Sequence, residues 1–111
     1  MIDRFLAIEV MGWVIHPRNT AHYFFGKEDM LGGYHVEAFV SEWKPSTNIT
    51  DAMRVVEKIG GSWELDRLPN GAWSVVCSSG NTEGSMGHES LPAAISLAAI
   101  EWCRVKNEAV K

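Results

Sequence analysis

The sequence predicts an α+β fold in which three helices cover an antiparallel sheet as an α/β/α sandwich. Two observations support this prediction. Three segments repeat apolar residues at helical spacing, and residues 62–79 form two strand-like arms around a Pro-Asn-Gly turn. Because a lone hairpin is only marginally stable in water, further strands or covering helices are expected to complete the fold.

The three helices are predicted at about residues 3–11, 48–60 and 91–107. Each carries apolar side chains on one face and begins near a residue that can cap its first turn, namely Asp3, Asn48 and Ser90. Gly12 and Gly60 stand at the ends of the first two helices, where glycine commonly terminates a helix. The first helix is short, so packing must hold it in place.

The predicted hairpin spans about residues 62–79, with its turn at residues 69–71. Trp63 and Trp73 flank the turn and are expected to lie near each other across the two arms, where an aromatic pair stabilises a sheet. Residues 13–44 are too many for a plain loop, so they are expected to contain one or two short strands and an irregular excursion.

Length and composition indicate one soluble domain that covers residues 1–111. The formal net charge is −4, and the ten Lys and Arg residues are scattered, which argues against an extended nucleic acid as partner. No apolar run approaches the roughly 20 residues of a membrane-spanning helix. Cys77 and Cys103 fall in strand and helix patterns, so both are expected to be reduced thiols near the core.

The chain carries no strong catalytic or metal-binding motif. Its four histidines lack the spacing of a helical metal site, and there is no Cys-x-x-Cys pair. Its many carboxylates are expected to form a solvated acidic surface. We therefore expect no catalytic residues, no metal, no cofactor and no enzymatic activity.

Four blocks of sequence follow one another along the chain: LAIEVMGW at residues 6–13, WKPSTNITDAMRVVEKI at residues 43–59, the tryptophan-bearing hairpin, and LPAAISLAAIEW at residues 91–102. Together they resemble the phage ABA-sandwich domain family, small proteins of phages and prophages. The resemblance is weakest across residues 14–42. It implies a helix–sheet–helix sandwich and a viral origin, and it brings no activity or catalytic residue with it.

Residues 78–92, SSGNTEGSMGHESLP, are the first candidate for a binding site. They lack the lysine of a Walker A loop, but they lead into a helix, whose N-terminus favours anions. Asn81, Ser85 and His88 are the candidate hydrogen-bond donors in this stretch. The segment is therefore interpreted either as a flexible connector or as a cradle for an anionic ligand.

The excursion at residues 16–34 is the second candidate. Arg18 and Lys27 alternate with aromatic residues, of which Tyr23 and Phe25 are the candidates for stacking on a base, together with Trp43 further along the chain. Aromatic faces stack on bases while cations meet phosphates. The alternative is that these aromatic side chains fill the core or stabilise a loop.

A small phage protein without catalytic machinery is expected to act by binding. The favoured hypothesis is a non-enzymatic sponge, in the cytoplasm of the infected bacterial host, for a nucleotide-derived immune signal such as a cyclic oligonucleotide or an ADP-ribose derivative. The alternative is direct inhibition of a host protein, with Trp13, Trp43 or Trp73 as exposed anchors. A homo-oligomer is also expected, because so small a domain hides its many apolar residues with difficulty.

Overall fold

The computed structural model describes residues 2–15, 24–28 and 34–109, which form three helices and six strands. In chain order these are α1 (Ile2–Glu9), β1 (Val14–Ile15), β2 (Phe24–Glu28), β3 (Tyr34–Phe39), α2 (Ile49–Ile59), β4 (Ser62–Arg67), β5 (Trp73–Ser79), β6 (Thr82–His88) and α3 (Leu91–Ala109). The α+β class with three helices and a hairpin is confirmed. Among the described residues, no helix combines the length and the apolar character needed to span a bilayer.

The strands are divided between two antiparallel sheets, where the sequence suggested one. The first sheet has the order β1-β2-β3, and the second has the order β4-β5-β6. In the second sheet Val75 and Cys77 on one face are buried, whereas Glu64 and Glu83 on the opposite face are exposed. The helices therefore cover one face of this sheet, and its other face is polar.

Helix α2 follows its sequence signals closely. The Asn48 side chain accepts a hydrogen bond from the backbone N–H of Asp51 at 3.1 Å, as expected of an N-cap residue. At the other end Gly60 has a φ angle of 70°, and its N–H donates to the Val56 carbonyl oxygen at 2.9 Å. The helix thus begins and ends where local capping predicts.

Helix α1 begins earlier than predicted, and Asp3 is not its cap. Asp3 lies inside the first turn, and its carboxylate accepts the backbone N–H of Ser46 at 2.8 Å. Its backbone carbonyl accepts the indole N–H of Trp43 at 2.7 Å. Because both bonds cross from α1 to the segment before α2, Asp3 joins two distant parts of the chain.

The hairpin is confirmed, but its two tryptophans are not neighbours. Trp63 pairs with Cys77 near the open end of β4 and β5, whereas Trp73 pairs with Arg67 beside the turn. The connection of five residues, 68–72, sets this register, with the Leu68 N–H donating to the Ala72 carbonyl oxygen at 2.8 Å. The expected cross-strand tryptophan pair is therefore wrong.

Helix α3 lies at the centre of the packing, in contact with α1, α2, β5 and β6. One buried cluster joins the helices to the first sheet through Leu6, Ala7, Trp13, Phe25, Trp43, Val55, Ala99 and Cys103. A second cluster joins α2 and α3 to the second sheet through Ala52, Val75, Ala94, Ile95 and Ala98. The small residues of α3 allow this close approach to several neighbours at once.

We expect Gly61→Ala to destabilise the protein more than Gly60→Ala. Both glycines have positive φ angles, 73° and 70°, so alanine at either position costs about 1–3 kcal/mol of backbone strain. At Gly61 an added Cβ also comes within 2.1 Å of the Ser78 carbonyl oxygen, whereas at Gly60 no atom lies within 4 Å. Urea unfolding of both variants measures the difference, and equal losses of stability would contradict the prediction.

Candidate functional site

Most of the Gly/Ser-rich stretch at residues 78–92 is strand, neither a connector nor a cradle. β5 continues to Ser79, residues 80–81 form a tight turn, and β6 occupies residues 82–88. Gly80 has a φ angle of 64°, which suits a two-residue hairpin turn. The Gly-Asn pair at the turn was a usable signal, but the small residues after it concealed the alternation of a strand.

The contact between β6 and α3 requires the glycine at position 84. Gly84 is buried against α3, and an added Cβ would lie 2.4 Å from the backbone nitrogen of Trp102 and 2.5 Å from the Ala98 carbonyl oxygen. Only a residue without a side chain lets the helix backbone come this close. Glycine at this position therefore serves the contact between helix and sheet.

Two positions at the start of α3 offer no free backbone N–H to an anion. The backbone N–H of Ser90 donates to Nδ1 of His88 at 2.9 Å, so the imidazole accepts a hydrogen bond here. Pro92, in the first turn, has no N–H. His88 therefore organises the helix start through Nδ1, and its predicted role as a hydrogen-bond donor to an anionic ligand stays a prediction.

Two of the three aromatic residues expected to stack on a base are core residues. Phe25 is 1% exposed and Trp43 is 2% exposed, so neither offers a free ring face to a ligand. Trp13, named as a possible anchor for a partner protein, is also buried, and its ring meets that of Trp43 edge-on with 4.7 Å between centroids. The apolar surface of these rings stabilises the core, which for Phe25 agrees with the interpretation of the aromatic residues of the excursion as core side chains.

The remaining predicted site residues do not converge. Lys27 is exposed on β2, and Ser85 is exposed on the polar face of the second sheet. Asn81 lies in the turn before β6 and His88 at the far end of that strand, roughly 20 Å away at the rise of a strand. Arg18 and Tyr23 lie outside the described residues.

A cleft with a volume of about 520 Å³ opens where the ends of α1 and α2 meet the β5–β6 turn and α3. Pockets that hold small molecules commonly measure about 300–1,000 Å³. The polar and aromatic groups of its walls come from four separate segments: Glu9, Lys58, Asn81, Trp102 and Lys106. Of the predicted site residues that the structure describes, Asn81 alone lines this cleft.

Trp102 is the fixed element of the cleft wall. Its indole N–H donates to the Ser79 carbonyl oxygen over 3.4 Å, and the ammonium group of Lys106 lies 4.8 Å from its ring centroid. The hydroxyl of Ser79 donates to the carbonyl oxygen of Ile59 at 3.2 Å, which joins the turn to the end of α2. An aromatic ring with a cation over its face thus borders the cavity.

Glu9 and Lys58 are available to a ligand, whereas the Lys106 ammonium already lies over the Trp102 ring. Among the residues that the structure describes, Glu9, Lys58 and Lys106 form no ion pair, and all three are exposed. Its side chains give the cleft one net positive formal charge on a protein whose formal net charge is −4, and the C-terminal ends of α1 and α2 add partial negative charge to the same cleft. This combination suits a ligand that is both anionic and aromatic.

The two cysteines are unsuited to nucleophilic chemistry. Both are free and buried, as predicted. Burial raises the pKa of Cys77 to about 11, with a further contribution from Cys103, so the thiol stays protonated at neutral pH. Within the described ranges, no group of three His, Cys, Asp or Glu side chains could hold a metal ion.

Sequence reasoning did not identify Lys58, Trp102 or Lys106 as site residues. One weak signal was present, because Trp102 and Lys106 are four residues apart and therefore share a face of α3. Nothing local links them to Lys58 or Glu9. Only the packing of α1, α2 and α3 brings these groups to one cavity.

Comparison with known protein families gives a match over most of the chain. Residues 4–100 match the family model described as the phage ABA sandwich domain. A search among curated proteins found no match, and a search among solved structures found none either.

Proposed function

The chain belongs to the phage ABA sandwich domain family, and from this premise we propose that this phage protein binds a small nucleotide-type ligand without transforming it. The ligand class is a nucleotide-derived immune signal of the bacterial host, such as a cyclic oligonucleotide or an ADP-ribose derivative. Sequestering the signal in the host cytoplasm would keep it from its receptor. The proposed site is the cleft beside Trp102.

The observation that carries this proposal is the grouping of Trp102 with Lys58 and Lys106 around one cavity. Stacking of a base on an aromatic side chain contributes roughly 1–3 kcal/mol. Each charge-assisted hydrogen bond from a lysine to phosphate adds about 1.5–3 kcal/mol. The aromatic and basic elements that the sequence suggested at residues 16–34 are thus available in the cleft, supplied by other residues.

A binding role also fits the chemistry of the cleft walls. The lysines can hold an anion, and the amide of Asn81 can exchange hydrogen bonds with a sugar or a base. Cys103, next to Trp102 in the chain, is buried, and burial is the main cause of its raised pKa, so it is a poor nucleophile. A protein that sequesters a ligand needs no turnover, so these groups suffice.

The proposal is tested by calorimetric titration with cyclic di- and trinucleotides and ADP-ribose derivatives. Lys58→Ala and Lys106→Ala are each expected to weaken binding by roughly tenfold to over a hundredfold, because each removes a charged donor. Lys44→Ala is the matched control, since Lys44 is exposed and lies outside the cleft. Circular dichroism checks that all three variants fold.

Two results would contradict the nucleotide proposal: no ligand of the panel binds more tightly than ~10 μM, or the lysine variants bind as the control does. The second candidate, a protein that binds a host protein, then takes its place. One observation favours it: a strip of apolar side chains beside Arg54, each 41–53% exposed, namely Val36, Phe39, Ile49 and Met53.

A further inference from the structure

Glu9 sets the cleft apart from a simple phosphate site. It is the last residue of α1, it is exposed, and its side chain lines the cavity with the two lysines. The negative charge of Glu9 raises the pKa of the Cys103 thiol while the positive charge of Lys106 lowers it, both acting after the larger effect of burial. A carboxylate from α1 and an ammonium group from α3 therefore line the same cavity.

A carboxylate at this position repels phosphate, so it must serve another part of a nucleotide. The C-terminal ends of α1 and α2 also disfavour a phosphate at this position. α1 ends at Glu9 and α2 ends at Ile59, so both helices direct the negative ends of their dipoles towards the cleft. This part of the wall favours N–H donors, whereas Lys58 and Lys106 favour the phosphate.

The four common bases differ in what they offer to a carboxylate. Guanine presents two adjacent donors, N1–H and the exocyclic N2–H, which match the two oxygens of one carboxylate. Adenine and cytosine each place an acceptor nitrogen beside their exocyclic amino group, and uracil places a carbonyl on either side of its N–H. A carboxylate therefore forms a bidentate pair with guanine and meets a repulsive lone pair on each of the other three.

We infer that the cleft selects guanine nucleotides, with the Glu9 carboxylate accepting from N1–H and N2–H while the base stacks on Trp102 and the lysines hold the phosphate. This inference rests on the proposed nucleotide function and narrows its ligand class to guanine-containing cyclic oligonucleotides, because ADP-ribose derivatives carry adenine. Glu9 sets specificity, because it distinguishes bases that Trp102 and the lysines bind equally well. A good bidentate pair of this kind discriminates between bases by roughly fivefold to over a hundredfold.

The test compares two matched pairs of probes, GMP with AMP and cyclic di-GMP with cyclic di-AMP, by calorimetric titration of the full chain. The guanine member of each pair that binds is expected to bind at least tenfold more tightly. Glu9→Gln is expected to abolish this preference, because a glutamine amide offers one acceptor and one donor, the arrangement that pairs with adenine. Glu57→Gln is the control, since Glu57 is an exposed carboxylate outside the cleft.

The outcomes separate the two proposals. Binding of guanine and adenine probes with equal affinity, or a guanine preference that persists in Glu9→Gln, overturns the role of Glu9 and leaves nucleotide binding intact. Failure of all four probes to bind overturns the guanine inference, and the nucleotide proposal falls with it only if the cyclic trinucleotides and ADP-ribose derivatives of the wider panel also fail to bind. Because Glu9 is exposed at the end of α1, Glu9→Gln is expected to unfold in urea as the wild-type protein does, which excludes a folding defect as the cause.

Discussion

Replacing Gly84 by alanine is expected to reduce stability by about 3 kcal/mol or more, at the upper end of the cost of overpacking. The atoms that an added Cβ would meet are backbone atoms, the Trp102 nitrogen at 2.4 Å and the Ala98 carbonyl oxygen at 2.5 Å. A side chain can rotate away from such a clash, but a helix backbone cannot. α3 must therefore move away from β6, and the core on both of its sides loosens with it.

Thermal and urea unfolding measure this effect, with Gly87→Ala as the matched control. Gly87 is also in β6, but a Cβ there meets only the Trp73 carbonyl oxygen, at 3.6 Å, which is an ordinary contact. The control is expected to stay within about 0.5 kcal/mol of the wild-type protein, as surface substitutions usually do. Equal stability of the two variants would contradict a backbone contact this close between β6 and α3.

Replacing Trp43 by alanine is expected to cost about 3–5 kcal/mol, as for other large aromatic residues removed from a core. Trp43 meets Trp13 edge-on, and its indole N–H donates to the Asp3 carbonyl oxygen. The guanidinium of Arg54 lies 5.4 Å from the Trp43 ring centroid. Removing the ring therefore leaves a cavity, takes the indole donor from the Asp3 carbonyl oxygen, and leaves Arg54 with only its contact to the Trp13 ring, at 4.9 Å from the centroid.

Urea unfolding of Trp43→Ala and Trp43→Phe separates these contributions. Phenylalanine keeps most of the apolar contact but lacks the N–H, so its loss of stability is expected to be the smaller. Phe39→Ala is the control, because Phe39 is a nearby aromatic residue that is 52% exposed. If Trp43→Ala kept full stability and lost ligand binding, Trp43 would be the stacking residue that the sequence suggested.

The positions of the predicted site residues affect how the function should be tested. Variants of Ser85 and His88 are expected to leave nucleotide binding unchanged, because neither residue lines the cleft. Variants of Trp102 need a stability measurement beside the binding measurement, since this ring packs against the core as well as bordering the cleft. The two lysines and Glu9 are the cleaner probes because all three are exposed.

The sequence by itself determined the elements whose signals are local. Asn48 and Gly60 mark the two ends of α2 because a cap involves only residues within one turn of the helix. The Pro-Asn-Gly turn and the alternation beside it predicted β4 and β5 for the same reason. Family membership was also recognisable from short blocks, and the match over residues 4–100 confirms it.

Only the tertiary structure decided what depends on distant neighbours. β6 was missed because the glycine at position 84 is required by the close approach of the α3 backbone. A short window of sequence around β6 does not include that helix. The sequence around Trp43 is compatible with either an exposed or a buried ring. Its burial depends on contacts with Asp3 and Trp13, which are distant in the chain. The cleft has the same origin: the packing of four separate segments brings its charges and its aromatic ring together, and local spacing does not record that packing.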